Sequence, residues 1–215
     1  MPNSDRAAAA EAKVRPALER DLSVRGLHYG DPVFLRAFKE ERVLELWLRH
    51  REDGKFQLFR SYAIAAASGQ LGPKLKEGDG QVPEGFYTVP PAAMNPRSAF
   101  HLSFNIGYPN SYDRAMSRTG SFIMVHGGNV SIGCLAMTDE TIDEIYTLCS
   151  AAHQAGQAFF HIHIFPFQIS AARLAVEENS PHLSFWLNLK DGYDYFEEKR
   201  IPPNVRVGNG CYIFR

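Results

Sequence analysis

The sequence has few cysteines and no long apolar run. Its three cysteines, Cys134, Cys149 and Cys211, show no CxxC spacing, so we expect neither a disulfide framework nor a cysteine-built zinc site. No run of about 18 or more apolar residues is present, which predicts no transmembrane helix. The first residues alternate charge with alanine and lack the apolar centre of a signal peptide, which indicates either a cytosolic protein or a chain that starts after a removed leader.

The chain also has little excess charge of either sign. Its 23 Lys and Arg residues nearly balance 24 Asp and Glu residues, for a net charge of −1. No basic cluster is interleaved with aromatic residues, so we expect no nucleic-acid partner. A length of 215 residues with 45% apolar residues is typical of one globular domain with a substantial core.

The pattern of apolar residues predicts an α+β fold: a mostly antiparallel β-sheet core with flanking helices and a C-terminal helical segment. We divide the chain into an N-terminal helical segment (1–25), a catalytic domain (26–170) and a C-terminal helical extension packed on the same domain (171–215). Strands are predicted at 32–38, 42–50, 55–64, 86–89, 100–106, 121–125 and 157–167. Helices are predicted at 6–23, from the Thr138 N-cap to about 156, at 170–179, and from Ser180 to about 190.

The candidate site lies where an apolar strand ends. That strand delivers His126, two glycines follow, and Cys134 comes eight positions later, shortly before a helix start. A thiol reacts as the thiolate, so a nearby imidazole favours a nucleophile. Gly133 permits a backbone bend in which the Gly133 and Cys134 N–H groups point toward an oxyanion. A packed, structural cysteine remains the alternative interpretation.

His126-Gly127 followed by Ser131-Ile132-Gly133-Cys134 resembles the signature of the L,D-transpeptidase (YkuD-type) family. Ile132 stands where the family has a His, and the His-to-Cys spacing is shorter; both departures are similar to the YafK-like branch. The resemblance also includes segments 72–87, 100–110, 163–167 and 186–197 in the same order.

The resemblance implies an L,D-transpeptidase-like fold and a cell-envelope (periplasmic) enzyme acting on peptidoglycan stem peptides at diaminopimelate-linked bonds. It implies Cys134 as the nucleophile, His126 as the base and the Gly127 carbonyl as the group that orients the imidazole. It implies no metal and no cofactor. The acceptor that resolves the thioester is either water, which would release wall-linked lipoprotein, or an amine, which would cross-link stem peptides. We favour water.

Substrate-binding candidates are residues that either pair with carboxylates or line a groove. They are Lys74, Tyr108, Asn110, Tyr112, Arg114, Arg118 and Ser131. The Gly- and Pro-rich loop 72–87 is predicted to lie at the surface, with solvated charges, and to act as a lid.

Two other functions are considered. One is a non-enzymatic peptidoglycan-binding or scaffold domain that keeps the groove. The other is a zinc hydrolase using His161 and His163, which fall at i, i+2 on one strand; packing among phenylalanines is the simpler interpretation of this pair. We expect His101 to be a half-exposed cross-strand residue or a cleft residue, and Cys149 and Cys211 to be buried.

Overall fold

The computed structural model describes residues 2–215. Within that range the α-helices are α1 (Asp5–Ser23), α2 (Ser111–Ala115), α3 (Asp139–Gln154), α4 (Ala171–Ala175) and α5 (Leu183–Lys199). The strands are β1 (Val33–Phe38), β2 (Val43–Arg49), β3 (Phe56–Ala63), β4 (Gly85–Val89), β5 (Met94–Ser98), β6 (His101–Asn105), β7 (Met124–His126), β8 (Leu135–Ala136), β9 (Phe160–Phe165), β10 (Val205–Gly208) and β11 (Cys211–Phe214).

The first sheet has the order β3-β2-β1-β9-β4. The β1-β2-β3 meander is antiparallel, as the turn-separated apolar runs predicted, and β4 pairs antiparallel with β9. Only the β1–β9 pair in this sheet is parallel, with Phe34 opposite His161. The prediction of a mostly antiparallel α+β fold is confirmed.

The second sheet, of order β5-β6-β7-β8, carries the candidate site. Strands β5, β6 and β7 pair antiparallel, whereas β7 and β8 are parallel. The connection from β7 to β8 contains the two glycines and ends at Cys134, so the chain turns back within a few residues. Helix α3 follows β8 directly and is capped by Thr138, whose hydroxyl accepts the Thr141 N–H.

The core occupies both faces of the first sheet. Every residue of β1 is buried, because helices cover the sheet on both sides, and this explains the nearly continuous apolar run of that strand. One face packs with α1, α3 and the second sheet. The other face packs with α5 and the β10–β11 hairpin, where Trp186 and Phe196 are fully buried.

The C-terminal region differs from the prediction. Helix α5 begins at Leu183, since the Ser180-Pro181 pair forms a turn ahead of it, and it continues to Lys199 because Phe196 packs against Phe34 and Trp47. The last residues form a hairpin. Cys211, which we predicted to be buried, is exposed: the hairpin turns Tyr212 into the core, and alternation along a strand turns Cys211 outward.

The predicted surface loop before β4 is partly buried. Lys39 reaches into it and donates hydrogen bonds to the Gly72 and Val82 carbonyls, and it pairs with Glu84 at 3.0 Å. Lys74 is buried beside Asp79 at 2.6 Å. Of the two interpretations of Lys74, a solvated face and a substrate contact, the burial excludes the first, because the charge is matched inside the loop. A substrate role for Lys74 stays a prediction.

No helix among residues 2–215 combines the length and apolar character that a membrane span requires.

Candidate active site

Cys134 is the residue immediately before β8, and it lies opposite a residue of the neighbouring strand β7. The β7–β8 register pairs Val125 with Leu135 and His126 with Ala136, which places Cys134 beside Met124. The Met124 N–H donates to Sγ over 3.4 Å, and the thiol donates to the Phe122 carbonyl over 3.7 Å. The side chain is partly buried, so the thiol is held at the sheet surface by main-chain atoms.

His126 is buried at the end of β7, with its ring centroid 4.8 Å from that of Phe100. Its Nδ1 lies 2.6 Å from the Gly127 carbonyl oxygen. A carbonyl only accepts hydrogen bonds, so Nδ1 must carry the proton and Nε2 is the unprotonated nitrogen of the neutral ring. The imidazole is thereby prepared to accept a proton through Nε2.

Cys134 and His126 lie on the same face of adjacent strands, two positions apart along the sheet. Diagonal neighbours of this kind are separated by about 7–8 Å between Cα atoms, which is within reach of a long or aromatic side chain. The fold thus places on neighbouring strands the two residues that the sequence proposed as nucleophile and base, while the hydrogen bonds of the thiol run to main-chain atoms of Met124 and Phe122. Their roles stay a prediction.

Gly127 has little space around its α-carbon. A Cβ there would lie 2.6 Å from an Asp139 carboxylate oxygen and 2.9 Å from the His101 Cβ. The Gly127 N–H donates to the Phe100 and Leu102 carbonyls of the neighbouring strand. A side chain would therefore displace the carbonyl that holds the His126 ring.

The amides proposed for the oxyanion already have partners. Gly133 has a φ of +88°, which favours glycine, and its N–H donates to the Ser68 hydroxyl over 2.6 Å. The Cys134 N–H donates to the Ser131 hydroxyl over 2.9 Å, and that hydroxyl donates to the Cys134 carbonyl. Ser131 therefore shapes the turn that presents the thiol.

Sequence reasoning missed Ser68. Its hydroxyl accepts the Gly133 N–H and donates to the Gly80 carbonyl over 2.6 Å, so it ties the turn before Cys134 to the 72–87 loop. The segment reaches the site because Ala65 and Ala66 pair with Ala136 along the free edge of β8. No spacing in the sequence signals this contact.

Burial raises the pKa of the Cys134 thiol, while the Met124 N–H and the positive charge of Lys74 act in the opposite direction. The thiol is consequently neutral at pH 7. Its attack on a carbonyl therefore requires a base that removes the thiol proton. The N-terminus of helix α3 does not stabilise the thiolate enough to make it the resting form.

We expect iodoacetamide to alkylate Cys134 slowly at pH 7. The alkylation rate should rise with pH, and its pH midpoint should lie above the usual thiol pKa of about 8.5. Replacing Lys74 by Met removes a nearby positive charge, so the midpoint should move to higher pH and the rate at pH 8 should fall. Lys76→Met, in the exposed part of the same loop, is the matched control and should leave the profile unchanged. The measurement is the alkylation rate at Cys134, read by peptide mass spectrometry in a Cys211→Ser background. A midpoint below 8 in the parent protein would contradict the electrostatic assignment.

A groove of about 820 Å³ includes Phe122 and Met124, whose main-chain atoms hydrogen bond to Sγ. Two of the predicted substrate residues, Tyr108 and Arg114, line it. Arg114 is exposed, and its guanidinium donates to the Pro109 carbonyl. The groove therefore combines apolar walls with the cations of Arg97 and Arg114.

Three other predicted substrate residues make structural contacts. Asn110 caps α2 and donates to the Phe86 carbonyl and the Tyr212 hydroxyl. Tyr112 is buried and stacked on Tyr212. Arg118 is buried and pairs with Asp113 at 2.9 Å. A substrate role for Asn110, Tyr112 and Arg118 stays a prediction.

The remaining histidines lie in packed surroundings. His163 is fully buried in an aromatic cluster, and burial lowers the pKa of His161 to about 4, so His161 is neutral at pH 7. Within residues 2–215, no three His, Cys, Asp or Glu side chains are grouped to hold a metal ion. His101 is partly exposed, and its Nε2 lies 2.6 Å from an Asp143 oxygen.

Comparison with known proteins identifies the family of the chain. The L,D-transpeptidase catalytic domain family (YkuD) matches residues 36–157. A protein of Escherichia coli K12 that carries the provisional name L,D-transpeptidase YafK is 45% identical over 184 residues, which cover 86% of this chain and 74% of that protein. The crystal structure of a point mutant of Pgp2 from Campylobacter jejuni, described as a helical cell shape determining protein, has a TM-score of 0.52 at 19% identity. That likeness concerns the fold, and it covers 79% of this chain and 57% of the Pgp2 chain. From the domain match and the YafK identity, the chain belongs to the YkuD-type L,D-transpeptidase family.

Proposed function

We propose that this protein is a cysteine-dependent acyl-transfer enzyme that cleaves peptidoglycan stem peptides at a diaminopimelate-linked bond. The observation that carries the proposal is the His126 ring, which is fixed through Nδ1 by the Gly127 carbonyl and lies on the same sheet face as Cys134. Family membership supports the substrate class. Because peptidoglycan lies in the cell envelope, the proposed substrate implies an envelope location for the enzyme.

The proposed reaction begins with proton transfer. The Cys134 thiol turns from the Phe122 carbonyl toward His126 Nε2, which takes the proton. The thiolate attacks the amide carbon, and the imidazolium returns the proton to the departing amine as the C–N bond breaks. A thioester on Cys134 and a free amine result. The raised pKa of the thiol makes the base necessary for the first step.

We place the oxyanion against the Gly133 and Cys134 N–H groups. Each of these groups now donates to a serine hydroxyl, Ser68 or Ser131. The oxyanion would replace these hydroxyls as the acceptor, which requires the turn to adjust on substrate binding. Negative charge develops on the substrate carbonyl oxygen as the reaction approaches the transition state. N–H groups that hydrogen bond to this oxygen in the transition state therefore increase the rate.

Water is the proposed acceptor. A transpeptidase must keep water from its thioester until an amine arrives, which calls for a closing cover. The 72–87 loop, predicted as that cover, is fixed by Lys39 and by the Lys74–Asp79 pair, which does not favour opening and closing. Ile132, next to the catalytic turn, is 85% exposed, which supports an open approach to the thioester. The product would be wall peptide freed from its attached lipoprotein.

The test is an incubation of purified protein with lipoprotein-linked muropeptides and an excess of a tetrapeptide amine acceptor. Release of free tripeptide muropeptide without new cross-links is the expected result. Cross-linked products would identify an amine acceptor and leave the roles of Cys134 and His126 in place. No product and no thioester would favour a binding or scaffold domain.

A further inference from the structure

Phe122 combines two unfavourable features. Its side chain is 76% exposed although it is aromatic, and its φ is +52°, in the left-handed region that bulky residues rarely adopt. Exposed apolar surface and backbone strain both cost free energy in the unbound protein. Such strain is concentrated at functional sites, where the surrounding structure enforces it.

The surrounding chain holds Phe122 in place. On one side, the Thr119 N–H donates to the Leu75 carbonyl over 3.0 Å, and the Ser121 hydroxyl donates to Glu77 over 3.3 Å. On the other side, the Ile123 carbonyl accepts the Ile106 N–H over 3.0 Å. The position is thus fixed from both ends, and the exposure of the ring is not that of a free loop tip.

Phe122 contacts the nucleophile and also lines the groove. The Phe122 carbonyl accepts the hydrogen bond from the Cys134 thiol, and Phe122 lines the groove that also contains Arg114. A group bound in this groove would therefore have both an apolar ring and the cations of Arg97 and Arg114 available to it.

We infer that Phe122 is a specificity-determining residue. It forms the apolar wall against which the aliphatic side chain of the acyl-donor residue packs, while Arg114 pairs with a carboxylate at or near the end of that residue. The inference rests on the proposed function, and it selects donors with a long aliphatic stem and a charged end over donors with a short side chain. Substrate binding would bury the exposed Phe122 ring. Removing this apolar surface from water contributes favourably to the free energy of binding.

The test compares Phe122→Gly, Phe122→Leu and the parent protein on two donor peptides, one with a long diamino acid at the cleaved position and one with alanine there. Losing the ring contact should raise KM for the long donor about tenfold, with a smaller change in kcat. Because glycine adopts positive φ freely, Phe122→Gly should melt at the same or a higher temperature. Phe122→Leu should restore most of the KM, and Phe159→Ala, which removes another exposed ring, should change neither constant.

The outcomes separate the two proposals. A parent protein that discriminates between the donors and a glycine variant that does not would support the role of Phe122. An active glycine variant with unchanged KM and unchanged preference would overturn that role and leave the proposed reaction standing. A parent protein that forms no thioester with either donor would overturn the proposed function and this inference together.

Discussion

The Cys134→Ala protein should fold normally and have no acyl-transfer activity. The side chain is partly exposed, and its hydrogen bonds are long contacts to main-chain atoms. Its removal should change the free energy of unfolding by no more than about 1 kcal/mol. Turnover, in contrast, should fall to background, because no other group at this position is able to form the thioester. The measurements are urea unfolding and product release from muropeptides.

Cys149→Ala is the matched control. Cys149 is fully buried in α3, where burial raises the pKa of its thiol, so it is an unreactive part of the core. The alanine variant should lose about 1 kcal/mol of stability from the small cavity and keep its activity. Gross unfolding of the Cys134→Ala protein would instead assign Cys134 to packing.

The largest expected loss of stability follows the removal of Glu84. Its carboxylate is fully buried and accepts hydrogen bonds from Lys39, the Gly72 N–H and the Trp186 indole. Burial lowers the pKa of Lys39 and Glu84 opposes that effect. Glu84→Ala leaves a buried ammonium without its counter-charge, and we expect a loss of about 3–5 kcal/mol in urea unfolding.

Two further variants check the cause of that loss. The double variant Lys39→Met, Glu84→Gln carries no unpaired buried charge and should be more stable than Glu84→Ala. Glu77→Ala, at an exposed position of the same loop, should change the stability by about 0.5 kcal/mol or less. If Glu84→Ala and Glu77→Ala were equally stable, the buried pair would not be what fixes the loop.

The β1-β2-β3 strands and the neighbouring positions of His126 and Cys134 were predictable because their signals are local, whereas strands β5, β8, β10 and β11 were not predicted. The β1-β2-β3 meander follows from apolar runs separated by turns, and the helix after Cys134 follows from Thr138 and the spacing of Ile142 and Ile145. The position of Cys134 beside the strand of His126 follows from the glycine-rich turn between them. The structure adds the parallel register, which places both side chains on one face.

The contacts that complete the site come from distant parts of the chain. Ser68 reaches Gly133 only because its segment pairs with the edge of β8, and Lys39 enters the 72–87 loop across the fold. Neither contact has a local sequence pattern. The same reason explains why the burial of Lys74 was not predicted: its partner, Asp79, is close in sequence, but their burial depends on how the loop packs.

Terminal segments were harder to predict because their structure depends on packing against the sheet. Apolar spacing alone did not show that α5 continues to Phe196 or that the last residues form a hairpin. The exposed position of Cys211 is a consequence of that hairpin, since Tyr212 takes the inward-facing place.

The central claim is that Cys134, assisted by His126, forms a thioester with a stem-peptide donor, and intact-protein mass spectrometry during turnover tests it most directly. The account predicts a mass increase equal to the acyl fragment on the parent protein, located at Cys134 by peptide mapping. It predicts no increase for Cys134→Ala and acylation slowed by about 10²–10⁴-fold for His126→Ala, the range for loss of a general base. An unmodified parent protein that still releases product, or an adduct at Cys211 alone, would contradict the account.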